Sequence, residues 1–184
     1  MTNLSRRSFA LGAAALPLAA CGNGIGGSGA AMIDARVAET LNFLYANYPG
    51  TQDLAERSAG QLVMPLVSEV GLGFGASFGR GALRVGDSNV DYYSAASASA
   101  GLQIGAQQFS HVLFFMTPNA LMDFRTSDGW AAGADLEYAI AEQGEVLRAD
   151  TTTSLSPVIA VVFGQAGLRI GATLEGTKYT RIIP

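Results

Sequence analysis

The chain has one cysteine, one histidine and one lysine in 184 residues. A lone thiol, Cys21, excludes an internal disulfide. Cys21 with His111 is too small a set for the usual zinc sites, so no metal and no cofactor is expected. With Lys178 the sole lysine, any basic patch must be built from arginine. Charge is scarce and leans acidic, with 11 basic against 15 acidic residues and a net charge of −4. Nucleic acid is an improbable partner for such a chain, because polyphosphate backbones are bound by dense Lys/Arg surfaces. The apolar run from Phe9 to Ala20 falls short of the roughly 20 residues of a membrane-spanning helix.

Catalytic motifs are scarce too. The glycine run GFGASFG carries Phe78 where a dinucleotide fingerprint requires glycine, and no lysine completes a phosphate loop. No hydrolase elbow is read from the chain. His111, in SHVLFF, shares a strand face with Phe109, Leu113 and Phe115, which suits a core or rim histidine. The carboxylates Asp87, Asp91, Asp123, Asp128, Asp135 and Glu137 are scattered and read as solvated surface. No catalytic residue is expected, and the chain is read as a non-enzyme.

What is present begins at the N-terminus. Ser5-Arg6-Arg7-Ser8-Phe9 reads as a twin-arginine export signal, with Arg6 and Arg7 its carriers. The apolar run then ends in Leu18-Ala19-Ala20-Cys21, which resembles the lipobox of bacterial lipoproteins. Small residues there admit a peptidase, and the Cys21 thiol accepts lipid such as diacylglycerol and palmitate. Residues 1–20 are therefore expected to be a signal peptide. Residues 21–30, CGNGIGGSGA, follow as a lipidated cysteine and flexible tether, and residues 31–184 as a single domain. Removing Arg6 and Arg7 leaves nine basic against 15 acidic residues, a mature charge of −6. Two or more acyl chains give a stable anchor. The expected location is the periplasmic side of the cell envelope. Gly22 after the cysteine favours the outer over the inner membrane.

The body of the chain repeats a pattern: GLGFGA at 71–76, GLQIGA at 101–106, GLRIGA at 167–172 and a looser GWAAGA at 129–134. All alternate, with apolar residues on one face and glycine or polar residues on the other. Glycine weakens a strand, so paired glycines point to bending, bulges or close backbone approach. The copies lie 30, 28 and 38 residues apart, too uneven for a solenoid. Residues 31–48 read as an amphipathic helix, with Ile33, Val37, Leu41, Leu44 and Tyr48 at helical spacing and Pro49-Gly50 as its stop. Phe109–Met116 reads as a central strand, apolar on both faces. Thr117-Pro118 starts a further helix that turns Leu121, Met122 and Phe124 inward. The expected fold is α+β: a strongly curved, barrel-like antiparallel sheet, the N-terminal amphipathic helix, and one more helix before a strand at about 130.

From Val63 to Ile182 the chain resembles the SYLF domain family, in a bacterial exported lipoprotein branch. The resemblance rests on Gly71-Leu72-Gly73-Phe74-Gly75 with Gly79 and Gly81, Tyr92-Tyr93-Ser94, Gly101–Gln107 and Phe114-Phe115-Met116. It continues through Ser127-Asp128-Gly129-Trp130, Thr151-Thr152-Thr153, Phe163–Leu168, Glu175–Lys178 and Thr180-Arg181-Ile182. The resemblance implies a non-enzymatic domain that contacts lipid membranes. Actin, a partner of eukaryotic members, is not expected for an exported bacterial protein. Segment 31–48 has one arginine, Arg36, against Asp34 and Glu39, so phosphoinositide specificity does not carry over.

Two functions follow as expectations. The first is a non-catalytic, membrane-anchored domain contacting lipid through Ile33, Val37, Leu41, Phe43 and Leu44, with Arg169, Lys178 and Arg181 meeting headgroups. The same helix stripe also suits ordinary core packing. The second is a structural or adaptor lipoprotein that binds an envelope protein or a small apolar ligand, with a pocket near Trp130 as its signature.

Overall fold

A computed structural model describes residues 28–133, 137–140, 156–164, 174 and 176–184. Helix α1 spans Gly29–Asn47 and α2 spans Thr51–Arg57. Between them the chain reverses at Gly50, whose φ of +95° suits glycine. Thr51 Oγ1 donates to the Tyr48 carbonyl at 2.8 Å and closes the corner. Two long strands follow, β1 (Gly60–Val85) and β2 (Ser88–Phe115), joined as an antiparallel hairpin. Gly86 opens its two-residue turn with φ +58°, the glycine-first geometry of a type II′ hairpin. Helix α3 (Pro118–Thr126), then β3 (Trp130–Ala131), β4 (Glu137–Ile140), β5 (Val158–Phe163) and β6 (Lys178–Ile182) complete the described elements.

Strand β2 organises the sheet. It pairs with β1 along one edge; along the other, Ser110–Phe115 pair with β5 and Tyr92–Ala96 with β6. β3 extends the sheet beyond β6, and β4 extends it beyond β5. Every pairing is antiparallel except β4–β5, which is parallel. The chain between those two strands is long enough for the crossover that parallel pairing requires.

A 26-residue strand would run about 86 Å if straight, at roughly 3.3 Å per residue. β1 instead curls back on itself. A Cβ placed on Gly79 would sit 2.8 Å from the Leu66 carbonyl oxygen and from the Val67 side chain. One placed on Gly81 would collide with the Val63 carbonyl and the Met64 sulfur. At the bend the first two repeats face each other across the hairpin, with Gly71 opposite Gly105 and Leu72 opposite Ile104. The next pair is Phe74 with Ala100, so β2 carries two extra residues there. The looser copy at 129–134 departs from the expected strand. Gly129 has φ +146°, β3 stops at Ala131, and β4 is a separate strand. The copy at 167–172 lies outside the described residues.

Each face of the sheet carries a core. Ile33, Val37, Leu41 and Leu44 of α1 pack with Leu54 of α2 against Val63, Val112, Phe114, Ile159, Val161 and Phe163. On the opposite face Leu62, Leu113, Phe115, Ala160, Val162 and Tyr179 surround Phe124 of α3. Phe109–Phe115 supply both cores, as expected of a central strand. Thr117 caps α3 by accepting a hydrogen bond from Ala120 N–H at 3.2 Å, ahead of Pro118 at the first position. Phe124 is buried and Leu121 partly so. Met122, expected inward, is exposed because it lies off the Leu121–Phe124 face.

Polar ties orient the helices. Asp34 of α1 accepts from the Tyr92 hydroxyl at 3.0 Å and from Asn89 Nδ2 at 2.6 Å. Burial, and then Asp34, raise the Tyr92 pKa above its ordinary value, so the phenol remains a donor. Buried Asp91 of β2 takes Arg125 of α3 on one carboxylate oxygen, at 3.1 Å, and Arg181 of β6 on the other.

Candidate membrane-contact surface

The α1 residues expected to meet lipid lie inside the fold. Val37 and Leu44 are fully buried, and Ile33 and Leu41 nearly so. Phe43 is half-buried, its ring stacked on Phe163 at 6.2 Å. In this fold the stripe covers the sheet and offers no apolar face to a bilayer. The C-terminal cations are not brought together either. Lys178 is exposed, with its stem near Gly129, whereas Arg181 lies on the opposite strand face and is held by Asp91. Arg169, Cys21, Arg6 and Arg7 lie outside the described residues.

His111 is a core histidine. Its Nε2 is 2.8 Å from the Tyr179 hydroxyl, and its Nδ1 has no hydrogen-bond partner among the described residues. Burial alone pulls its pKa down to about 3, so the ring is neutral near pH 7. Against the expectation of no hydrolase elbow, Gly75-Ala76-Ser77-Phe78-Gly79 has the Gly-x-Ser-x-Gly spacing of one. That elbow requires a strand-to-helix turn. Ser77 instead sits inside β1, 2.6 Å from Ser97 of the paired strand, and His111 is engaged elsewhere. Among the described residues no cluster of three or more His, Cys, Asp or Glu side chains is placed to hold a metal. No described helix is long and apolar enough to cross a membrane.

Among the described residues, Met32, Val90, Met122 and Ile183 are exposed singly, whereas four exposed large apolar side chains share one strand, β1. From Leu66 to Arg80 the even-numbered side chains that are described point outward, while Gly79 and Gly81 are buried on the inner side. Phe74 is 81% exposed, Val70 57% and Phe78 52%, and Leu66 is exposed beside them. The cause is steric. The inner face of the curl brings backbone against backbone, which only glycine permits. The larger residues of the alternation must then face out. Each is left short of the roughly 1.5–3 kcal/mol that full burial of such a side chain supplies. Leu66, Val70, Phe74 and Phe78 alternate along the strand with exposed Ser68 and Ala76, and exposed apolar surface of this kind is a candidate contact for a membrane or a partner.

A groove of about 260 Å³ separates the start of this strip from the first turns of α1. Near Trp130 a second cavity of about 390 Å³ mixes polar with apolar lining: Thr117, Asn119 and Asp123 beside Trp130, Pro157 and Val158.

Residues 96–181 match the model of a family described as Ysc84, Las17-binding protein actin regulator. That family is the SYLF type, a lipid-binding and actin-regulator type of domain, and it is what this stretch of the chain is similar to. The matched stretch runs from the middle of β2 through α3 to β6; the exposed strip on β1 precedes it. A comparison with curated proteins finds no match.

Proposed function

We propose that this chain is a non-catalytic lipoprotein domain that contacts lipid in the bacterial cell envelope through the curled β1 strip. The observation that carries the reading is the outward alternation of Leu66, Val70, Phe74 and Phe78, on a strand whose Gly79 and Gly81 press against its own backbone on the inner side. Lipid binding within the matched family supports it. Acylation at Cys21 after export directed by Arg6 and Arg7 would hold the domain at the periplasmic side of the envelope, with the outer membrane favoured by Gly22. A flexible tether over residues 21–30 would let the anchor and the strip engage one bilayer.

The test is flotation with phosphatidylcholine vesicles of residues 21–184 carrying Cys21→Ala, which removes the acyl anchor while keeping all the described fold. The chain is expected to float, and Phe74→Ser with Val70→Ser to abolish flotation without lowering Tm. Absence of flotation in the parent chain, or its survival in the double variant, overturns this reading. The first of these outcomes would favour an adaptor that presents the same strip to an envelope protein.

A further inference from the structure

The two ends of β1 meet. A Cβ placed on Gly60 would sit 3.0 Å from the Arg84 carbonyl oxygen, so the start and the finish of the strand lie side by side. A third cavity, of about 350 Å³, opens at this junction between Tyr45 of α1, Glu56 of α2, Gln61 and Arg84 of β1, and Asp87 of the hairpin turn. Gln61 is 8% exposed. Its Oε1 accepts from the Tyr45 hydroxyl at 3.1 Å, and its Nε2 makes no hydrogen bond with a described residue. A polar side chain so deeply buried is ordinarily satisfied at both ends. The charges lack partners too. The Arg84 guanidinium donates to neutral acceptors, Asn89 Oδ1 at 3.4 Å and the Asp87 backbone carbonyl at 3.1 Å. Glu56 accepts from the neutral Gln52 amide at 3.2 Å. Among the described residues none of Arg84, Glu56 and Asp87 is in an ion pair, although all three line one cavity.

We infer that this cavity binds a small zwitterion of the amino-acid class, a free α-amino acid or a short peptide. Arg84 would take its carboxylate, Glu56 and Asp87 its ammonium group, and Leu41 and Ala55 an apolar side chain. Opposite charges that share a concavity without touching leave room for a molecule that carries both signs. A guanidinium offers a carboxylate two parallel hydrogen bonds, and Gln61 Nε2 supplies one more donor. Other ligand classes fit worse. An anion meets two carboxylates, and a simple cation leaves Arg84 without a counter-charge. An apolar molecule strips water from Arg84 and Gln61 without replacing its hydrogen bonds. The volume falls within the range of small-molecule sites, roughly 300–1,000 Å³. None of Leu66, Val70, Phe74 and Phe78 lines the cavity, so the inference goes beyond the membrane reading and does not draw on it.

The experiment is isothermal titration calorimetry of the same Cys21→Ala chain with L-leucine and with the dipeptide L-alanyl-L-leucine. Isocaproate and isoamylamine, which keep the leucine side chain and one of its two charges, are the controls. At least one zwitterion is expected to bind saturably, and both controls to bind at least about tenfold more weakly, the effect of one charged hydrogen bond. The tighter of the two zwitterions then tells a free amino acid from a peptide. Arg84→Gln should weaken binding by a similar factor, as should Glu56→Gln combined with Asp87→Asn. The acidic double variant changes exposed side chains only, so it keeps the test open if Arg84→Gln fails to fold. Flotation should stay as in the parent. Absence of saturable binding by either zwitterion overturns the site and leaves the membrane reading intact. Controls that bind as tightly as the zwitterions, or a folded acidic variant that binds as the parent does, have the same consequence.

Discussion

Gly81 lies against the carbonyl of Val63 in its own strand, so close that no side chain fits between them. This approach closes the curl of β1 and fixes which side of the strand faces out. Gly81→Ala must push backbone away from backbone. It is expected to cost about 2–3 kcal/mol or more, in the range of overpacked cores. Gly133 has negative φ and open space around its Cβ position, so Gly133→Ala should be nearly neutral. Urea unfolding of the two variants checks the contrast, and equal stability would show that the curl does not depend on the glycine.

Much of this architecture was legible in the chain. The α1 stripe, the Pro49-Gly50 stop, the Thr117-Pro118 helix start and the two-faced strand before it are all local signals, and each sits where its periodicity places it. The polarity of the β1 curl was not legible. Alternation separates two faces but carries no sign, and the ordinary expectation sends Phe74 and Phe78 inward. The available signal was the Gly79/Gly81 pair, two residues apart on one face. The tie between Asp91 and Arg181, ninety residues apart, has no periodicity to announce it. The helix stripe left two roles open in the sequence for a related reason: an amphipathic helix looks the same whether it covers a sheet or a bilayer.

Asp91 joins three elements through one buried carboxylate. Its side chain is 4% exposed, against 44% for Arg125 and 62% for Arg181. Asp91→Ala should therefore cost about 1–3 kcal/mol, because it removes two charge-assisted hydrogen bonds from a buried acceptor. Arg125→Ala alone should cost less than about 1 kcal/mol, since water replaces part of what it loses. A double-mutant cycle of Asp91→Ala with Arg125→Ala measures the coupling, and a coupling indistinguishable from zero would remove the proposed tie between α3 and β2.

His111 makes stability depend on pH with a definite sign. Its folded pKa is lowered by burial from 6.5 to about 3, so between those values the unfolded chain binds the extra proton. The contribution of neutral His111 is complete above pH 6.5 and is lost as pH falls toward 3. The expected slope within that window is about 1.4 kcal/mol per pH unit, or roughly 2 kcal/mol between pH 6.5 and 5. His111→Gln keeps a polar partner near Tyr179 but removes the titration. Urea midpoints followed from pH 7 to 5 should fall more steeply in the parent than in the variant. Parallel curves would show that His111 is not the group responsible.

Leu44 and Phe74 separate folding from binding. Leu44 is fully buried between α1 and the sheet, whereas Phe74 stands 81% exposed on the bend. Leu44→Ala should cost about 2–5 kcal/mol through lost burial and an unfilled cavity. Any loss of vesicle binding in that variant should follow its loss of fold and recover at temperatures where it remains native. Phe74→Ala removes no packed core, so its stability should stay within about 0.5 kcal/mol of the parent, as for ordinary surface changes. Its flotation should nevertheless weaken at every temperature. The reverse pattern, with native Leu44→Ala failing to bind and Phe74→Ala binding as the parent does, would return the membrane contact to α1. That outcome would require the helix to leave the sheet, which hydrogen exchange of the α1 amides on vesicles would detect as lost protection.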